Sequence, residues 1–223
     1  MNASDITSVT SNGYRHGNLP QALMDLAVLH IARSGTEKLS LRALARELEV
    51  SPTAPYRHFA SKQCLLAAIA TQGFDELRKR NVSACDKSLP LEERLVAMSI
   101  AYVEFGIENP VLYQLMFGST LADFSGYEML HNASQAAYEE VDETLKALIA
   151  ERGLEANVDH LAGGAWAFVH GMSSLLASSI DLGEATRPMQ ALEAMRDDAE
   201  VVIRLFMKQF FASATKEAPG RNR

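Results

Sequence analysis

Between Asn18 and Ser61 four helix-start signals follow in close succession, each trailed by apolar residues at helical spacing. Asn18 stands at an N-cap, where its side-chain oxygen can take an orphan amide, and Pro20 sits in the first turn, where a missing N–H costs nothing. Leu23, Leu26, Ala27 and Ile31 make an apolar stripe that ends at Gly35. Ser40 is placed to cap a short second helix in which Leu41, Leu44, Ala45 and Leu48 fall at i, i+3, i+4 and i+7. Ser51 is placed to cap a third helix running to about Phe59. Ser61 does the same for a fourth, with Leu65, Leu66, Ile69, Ala70 and Leu77 on one side. Strand-type alternation is scarce and aromatic residues are only 7% of the chain, so the pattern favours an all-α fold over a β-sandwich.

The segment Val82 to Pro90 is polar and ends in proline, which places a domain boundary there. The expected layout is an N-terminal arm at 1–13, a small helical head at 14–81, a larger helical body at 82–215 and a tail at 216–223. In the body, Leu91, Leu95, Met98, Tyr102 and Phe105 step by four and three residues until Asn109-Pro110 stops the helix. Val111 to Gly118 reads as a short apolar segment. Gly126 to Gly153 is one long amphipathic helix, and Pro188 to Ala214 is a final one.

Leu161 to Ile180 has no charged side chain, histidine being counted neutral, and is long enough to span a bilayer. Gly163, Gly164, His170, Gly171 and four serines weaken insertion, so the expectation is a helix buried on nearly all sides, with no membrane partner. Gly163, Ala167, Gly171, Ser174 and Ser178 form a small-residue stripe that lets another helix approach, and a second subunit is the expected neighbour. The polar start from Met1 to Gly13 does not read as a signal peptide, and Cys64 and Cys85 are too distant for a metal knuckle or redox pair. A reducing cytoplasm is the expected compartment.

The net charge of −7 conceals a split. Tyr14 to Asn81 holds ten lysines and arginines against six acids, a net of +4, whereas the chain from Val82 onward carries −10. A basic head on an acidic body points to a polyanionic partner for the head alone. Helix N-termini are partially positive, and a cation there is unfavourable by about 0.3–1 kcal/mol. Yet Arg42 and Lys62 sit in the first turns of the second and fourth helices, while Glu92, Glu93 and Glu155 occupy the usual acidic positions in the body. A phosphate outside the head would absorb both the cations and the amide dipoles.

Two short helices joined by Glu49-Val50-Ser51 fit a helix-turn-helix, whose second helix enters the DNA major groove. The run Ser40-Leu41-Arg42-Ala43-Leu44-Ala45-Arg46-Glu47-Leu48-Glu49-Val50-Ser51, followed by Tyr56-Arg57-His58-Phe59 and Ser61-Lys62, resembles the TetR/AcrR family of bacterial transcription regulators. The resemblance covers roughly Arg15 to Asn81. It implies that Arg42, Pro52, Thr53, Ala54 and Arg57 face bases, and that Ser40, Ser51, Tyr56, His58 and Lys62 hold phosphate. Small side chains at Thr53 and Ala54 let a helix sink into the groove, where a methyl can meet thymine, and Tyr56 and His58 suit register-fixing phosphate contacts. Phe59, Leu44 and Val50 are assigned to the head's core. Two positions depart from the family pattern. Glu49 stands where the family has glycine, so either the turn differs or the backbone is strained there by about 1 kcal/mol or more. Pro55 lies inside the expected recognition helix, which predicts a short, irregular start.

The resemblance further implies a body that forms a ligand cavity, and a homodimer built from the last two long helices, about Glu155–Leu182 and Pro188–Ala214. Trp166-Ala167-Phe168-Val169-His170-Gly171 resembles a subgroup named for its Trp-His-Gly signature. Candidate cavity residues are Tyr102, Phe105, Tyr113, Met116, Phe117, Met129, Tyr138, Trp166, Phe168, His170 and Met172, although Met and aromatic residues at helical spacing are more often plain core. His170 and His131 either orient a ligand or sit as satisfied core histidines. No metal-ligand spacing, acid pair or Gly-x-Ser-x-Gly elbow appears, so neither an enzyme nor a cofactor is expected. The expected function is a dimeric regulator, a repressor by family habit, that leaves a roughly palindromic operator when a small molecule fills the body. The alternative is a DNA-bound structural or adaptor protein on the same fold.

Overall fold

The structure is a computed structural model that describes residues 18–121, 125–154, 157–177 and 187–214. The arm, the tail and the uncharged run beyond Ala177 lie outside the described residues. Within them are nine α-helices and no strand: α1 Leu19–Ser34, α2 Leu41–Glu47, α3 Lys62–Ala84, α4 Leu91–Glu108, α5 Pro110–Phe117, α6 Glu128–Arg152, α7 Val158–Ala177, α8 Arg187–Asp197 and α9 Ala199–Ala214. Short 3-10 turns occupy Thr36–Lys38, Pro55–Arg57 and Ser119–Leu121.

The caps explain where the helices begin. Asn18 Oδ1 accepts from the Gln21 amide at 3.3 Å, and Ser61 Oγ from the Cys64 amide at 3.1 Å. Ser40 occupies the N-cap of α2, but only its carbonyl takes part, and its hydroxyl makes no capping bond. α2 ends in a Schellman turn: the Val50 amide reaches back to the Ala45 carbonyl and the Glu49 amide to that of Arg46. This turn requires a left-handed residue, and Glu49 takes it at φ 56°. α6 ends in the same way, with glycine at the left-handed position, Gly153, at φ 59°. The helix expected over Pro188–Ala214 is instead two, broken at Asp198.

The described residues fall into two compact units. The first runs up to Gly73 and takes in Val111–His131. There α1 packs on α2 and on the 36–38 and 55–57 turns, and Leu23, Leu26, Ala27, Leu44, Ala45 and Leu65 are buried. His30 Nε2 and the Glu47 carboxylate, 2.7 Å apart, tie α1 to the end of α2. Gly73 of α3 meets α5 so closely that a Cβ there would lie 2.5 Å from the Met116 sulfur.

The second unit comprises Phe74–Pro110 and the residues from Asn132 on. Here α4 packs most extensively on α7 and also on α9, around Phe105, Met98, Leu145, Leu148 and Phe211. Gly164 of α7 admits the Phe210 ring of α9, and Phe168 stacks on Phe206 with centroids 3.7 Å apart. Glu92 and Glu93 at the α4 N-terminus pair with Arg152 and Arg204, both at 2.6 Å. One expectation is corrected. α7 is not buried on nearly all sides, because Leu161, Val169, Met172 and Leu176 face inward while Gly163, Trp166, Ala167, Ser174 and Leu175 are exposed.

Candidate functional site

The segment after α2 departs from a regular helix, and Pro55 is the reason. In an α-helix the amide of residue 55 would donate to the Ser51 carbonyl, but proline has no N–H. The Ala54 amide takes that carbonyl instead at 2.9 Å, and tight i→i−3 bonds continue through Tyr56, Arg57 and His58. The α-helix expected from Ser51 to about Phe59 is therefore a turn followed by one 3-10 turn. Ser51 caps no amide. Its hydroxyl lies 3.2 Å from that of Thr53.

Around this segment the apolar and polar residues separate. Pro55, Phe59 and Leu44 are buried, Val50 and Ala54 half-buried. Ser40, Arg42, Ser51, Pro52, Thr53, Tyr56, Arg57 and His58 are all exposed, Tyr56 by 46%. Lys62 does not join them. Its ammonium turns inward and donates to the Thr36 carbonyl at 3.2 Å and that of Glu37 at 3.5 Å. These carbonyls absorb the cation in the first turn of α3, the task that charge patterning had assigned to phosphate. Arg42 remains as the exposed first-turn cation of α2.

The eleven candidate cavity residues divide. Tyr113, Met116, Phe117 and Met129 belong to the first unit, the rest to the second. Tyr113 and Met116 are buried, with Phe117 tilted against Tyr113 at 5.0 Å, while Met129 is 76% exposed. In the second unit Tyr102, Phe105 and Met172 are buried, Phe168 and His170 half-buried, and Tyr138 and Trp166 exposed. The fold does bring Tyr102, Trp166 and His170 together. Trp166 Nε1 donates to the Tyr102 hydroxyl at 3.3 Å, and that hydroxyl lies 3.1 Å from His170 Nδ1. Burial holds the His170 imidazole below its ordinary pKa.

Two family profiles match the chain: "Bacterial regulatory proteins, tetR family" over residues 23–69, and "Tetracyclin repressor-like, C-terminal domain" over residues 95–199. The chain belongs to the TetR family of transcriptional regulators. It is similar to the uncharacterized HTH-type transcriptional regulator YobS of Bacillus subtilis (strain 168), 22% identical over 165 residues, which span 73% of this chain and 81% of the relative. It is also similar to nucleoid occlusion factor SlmA of Enterobacter sp. (strain 638), 26% identical over 167 residues, 71% of this chain and 82% of the relative. A solved structure of a protein with unknown function from Rhodococcus sp. RHA1 superposes with a TM-score of 0.71 at 26% identity, covering 91% of this chain and 98% of that one.

In this TetR-family chain the sequence reading passed over two residues near the end of α3. Arg80 pairs with Glu108 at 2.8 Å and with Glu76 at 3.5 Å, its guanidinium 5.5 Å from the Phe105 ring centroid. Asn81 is 3% exposed and its Nδ2 donates to the Ala137 carbonyl of α6 at 3.1 Å. The available signal was spacing, since Leu77, Asn81 and Cys85 step by four, which puts an amide in an apolar stripe.

Proposed function

We propose that this regulator binds duplex DNA as a homodimer, as a repressor, and leaves a roughly palindromic operator when a small molecule occupies the body. The observation that carries the reading is the exposed row on the head: Arg42, Ser51, Pro52, Thr53, Tyr56, Arg57 and His58 stand outward over a core of Leu44, Pro55 and Phe59. Arg42, Pro52, Thr53, Ala54 and Arg57 face bases in this reading, and Ser40, Ser51, Tyr56 and His58 hold phosphate. Lys62 contributes by bracing the 36–38 turn. The head is assigned to residues 14–81 and the sensing, dimerising body to 82–215.

Support for the dimer comes from α7 and α9, where Trp166, Leu175, Val201 and Leu205 are exposed apolar residues and nothing lies within 4 Å of a Cβ placed on Gly163 or Gly171. A single small head offers few base contacts, and two related by a twofold axis read two half-sites. The effector acts only if it prefers the conformer whose heads are mis-spaced for the duplex.

The test is selection of a binding sequence from a random duplex pool, followed by titration at increasing salt. The expected result is a palindromic site whose affinity falls steeply with salt. Failure to bind any duplex in dilute buffer ends this reading. One observation favours a second: the similarity to a nucleoid occlusion factor admits a body that grips another protein. A small-molecule thermal-shift screen separates the two, because a sensor is stabilised by its effector and an adaptor is not.

A further inference from the structure

Lysine is a costly residue to hold still. Its long stem has many rotamers to lose and its ammonium is strongly hydrated, so a surface lysine ordinarily keeps its head in water. Lys62 does not. It is half-buried, and its Nζ donates to the carbonyls of Thr36 at 3.2 Å and Glu37 at 3.5 Å. The Thr36 carbonyl also accepts the Leu39 amide at 3.1 Å, so the ammonium lands on the group that closes the 36–38 turn. The first turn of a helix is the unfavourable end for a cation, and two backbone acceptors offset that penalty.

The segments joined in this way lie 26 residues apart, and each leads directly into one end of the exposed row. After the 36–38 turn the chain passes the buried Leu39 and reaches Ser40 and Arg42 at the start of α2. Before Lys62 come Arg57 and His58, then the buried Phe59, then Ser61, whose hydroxyl caps α3. Leu39 and Phe59 anchor the two segments by apolar burial, which is non-directional and tolerates sliding. The ammonium adds a directional contact between them. Direction matters here, because a side chain that reads a base edge has to be held to within about 0.5 Å.

We infer that Lys62 is a positioning residue for base readout: by tying the 36–38 turn to the start of α3 it sets where Arg42 stands, and it acts through Arg42 rather than by holding a phosphate. This deepens the reading of the head as a duplex-binding surface and rests on it. Two consequences separate the role from a phosphate contact. Removing the charge leaves the count of neutralised phosphates unchanged, and the loss falls on the bases that Arg42 faces.

The experiment uses the full chain and the operator that the wild type selects from a random duplex pool. Lys62→Met keeps the stem and removes the ammonium, and Lys62→Gln keeps an N–H donor without charge. Each is made alone and with Arg42→Ala, and helical circular dichroism confirms folding. Both variants are expected to bind the operator about fivefold or more weakly, with the slope of log affinity against log salt unchanged. The loss is expected to be uneven across single-base operator variants, at the positions where Arg42→Ala is uneven, and to shrink below about twofold once Arg42 is gone. A slope reduced by about 0.9 identifies a phosphate contact and overturns the inference. Unchanged affinity, a loss equal on every base variant, or a loss fully additive with that of Arg42→Ala overturns it too. Failure of both variants to fold assigns Lys62 to the stability of the head and has the same consequence. In each of these cases the wild type still binds its operator, so this inference alone fails. A wild type that binds no duplex removes the reading beneath it instead.

Discussion

The two units handle polar groups in opposite ways. In the first, Arg42, Ser51, Thr53, Tyr56, Arg57 and His58 stand in solvent, and the cation that turns inward, Lys62, meets backbone carbonyls. In the second, Tyr102, Trp166 and His170 answer one another across α4 and α7, while the buried Asn81 amide donates to the Ala137 carbonyl. Exposed polar groups lose little by remaining hydrated and so can be kept for a charged partner. Buried ones persist only if matched. The head is therefore expected to trade in binding energy and the body in stability.

Substitutions can break that division. Phe105→Ala should have the largest effect, lowering unfolding stability by about 3–5 kcal/mol because a fully buried ring is removed. Urea unfolding followed by helical circular dichroism measures it, and a loss under 1 kcal/mol would show that the body's core sits elsewhere. Arg42→Ala should leave stability within about 0.5 kcal/mol but weaken operator binding by about 1–3 kcal/mol, unevenly across single-base operator variants. Uniform losses on every variant would remove Arg42 from base readout. Tyr102→Phe should lower stability by about 1 kcal/mol through the hydroxyl that links Trp166 and His170, with duplex affinity unchanged. A changed affinity would show that the cluster acts on the head.

Glu49→Gly sharpens the comparison from the opposite side, because it should stabilise. The turn after α2 matches the one after α6, yet has glutamate where the other has glycine. Relief of the left-handed strain is worth about 1 kcal/mol, or roughly 2–4 °C in Tm for a chain of this size. An unchanged Tm would mean that the glutamate side chain compensates. The smallest effect is acid sensitivity from His170. Its folded pKa lies below the ordinary value of 6.5, so the unfolded chain takes up the proton first. Stability attributable to His170 is complete above that value and declines as pH falls through the lower, folded one. His170→Gln should flatten this part of the stability profile, and an identical profile would assign the acid loss to other groups.

Much of the head was legible because its signals are short. Asn18 and Ser61 cap amides three residues away, as their positions predicted, and the strain expected at Glu49 is met there. Pro55 announced an irregular helix, though not that the whole segment would tighten to 3-10 bonding. The body was less legible, since apolar spacing says that a residue is inside without saying against what. Met129, Tyr138 and Trp166 carry the same residue signal as Tyr102 and Phe105 yet are exposed.

The helix starts at Asn18 and Ser61, the charge split and the family resemblance were written in the chain, because each depends on neighbours a few positions apart or on residue order alone. The fate of Lys62 and Asn81 was not. Lys62 meets a carbonyl 26 residues away and Asn81 one 56 residues away, and no local pattern records which backbone group such a side chain will face. Packing settled both, by bringing the 36–38 turn to the start of α3 and α6 to its end.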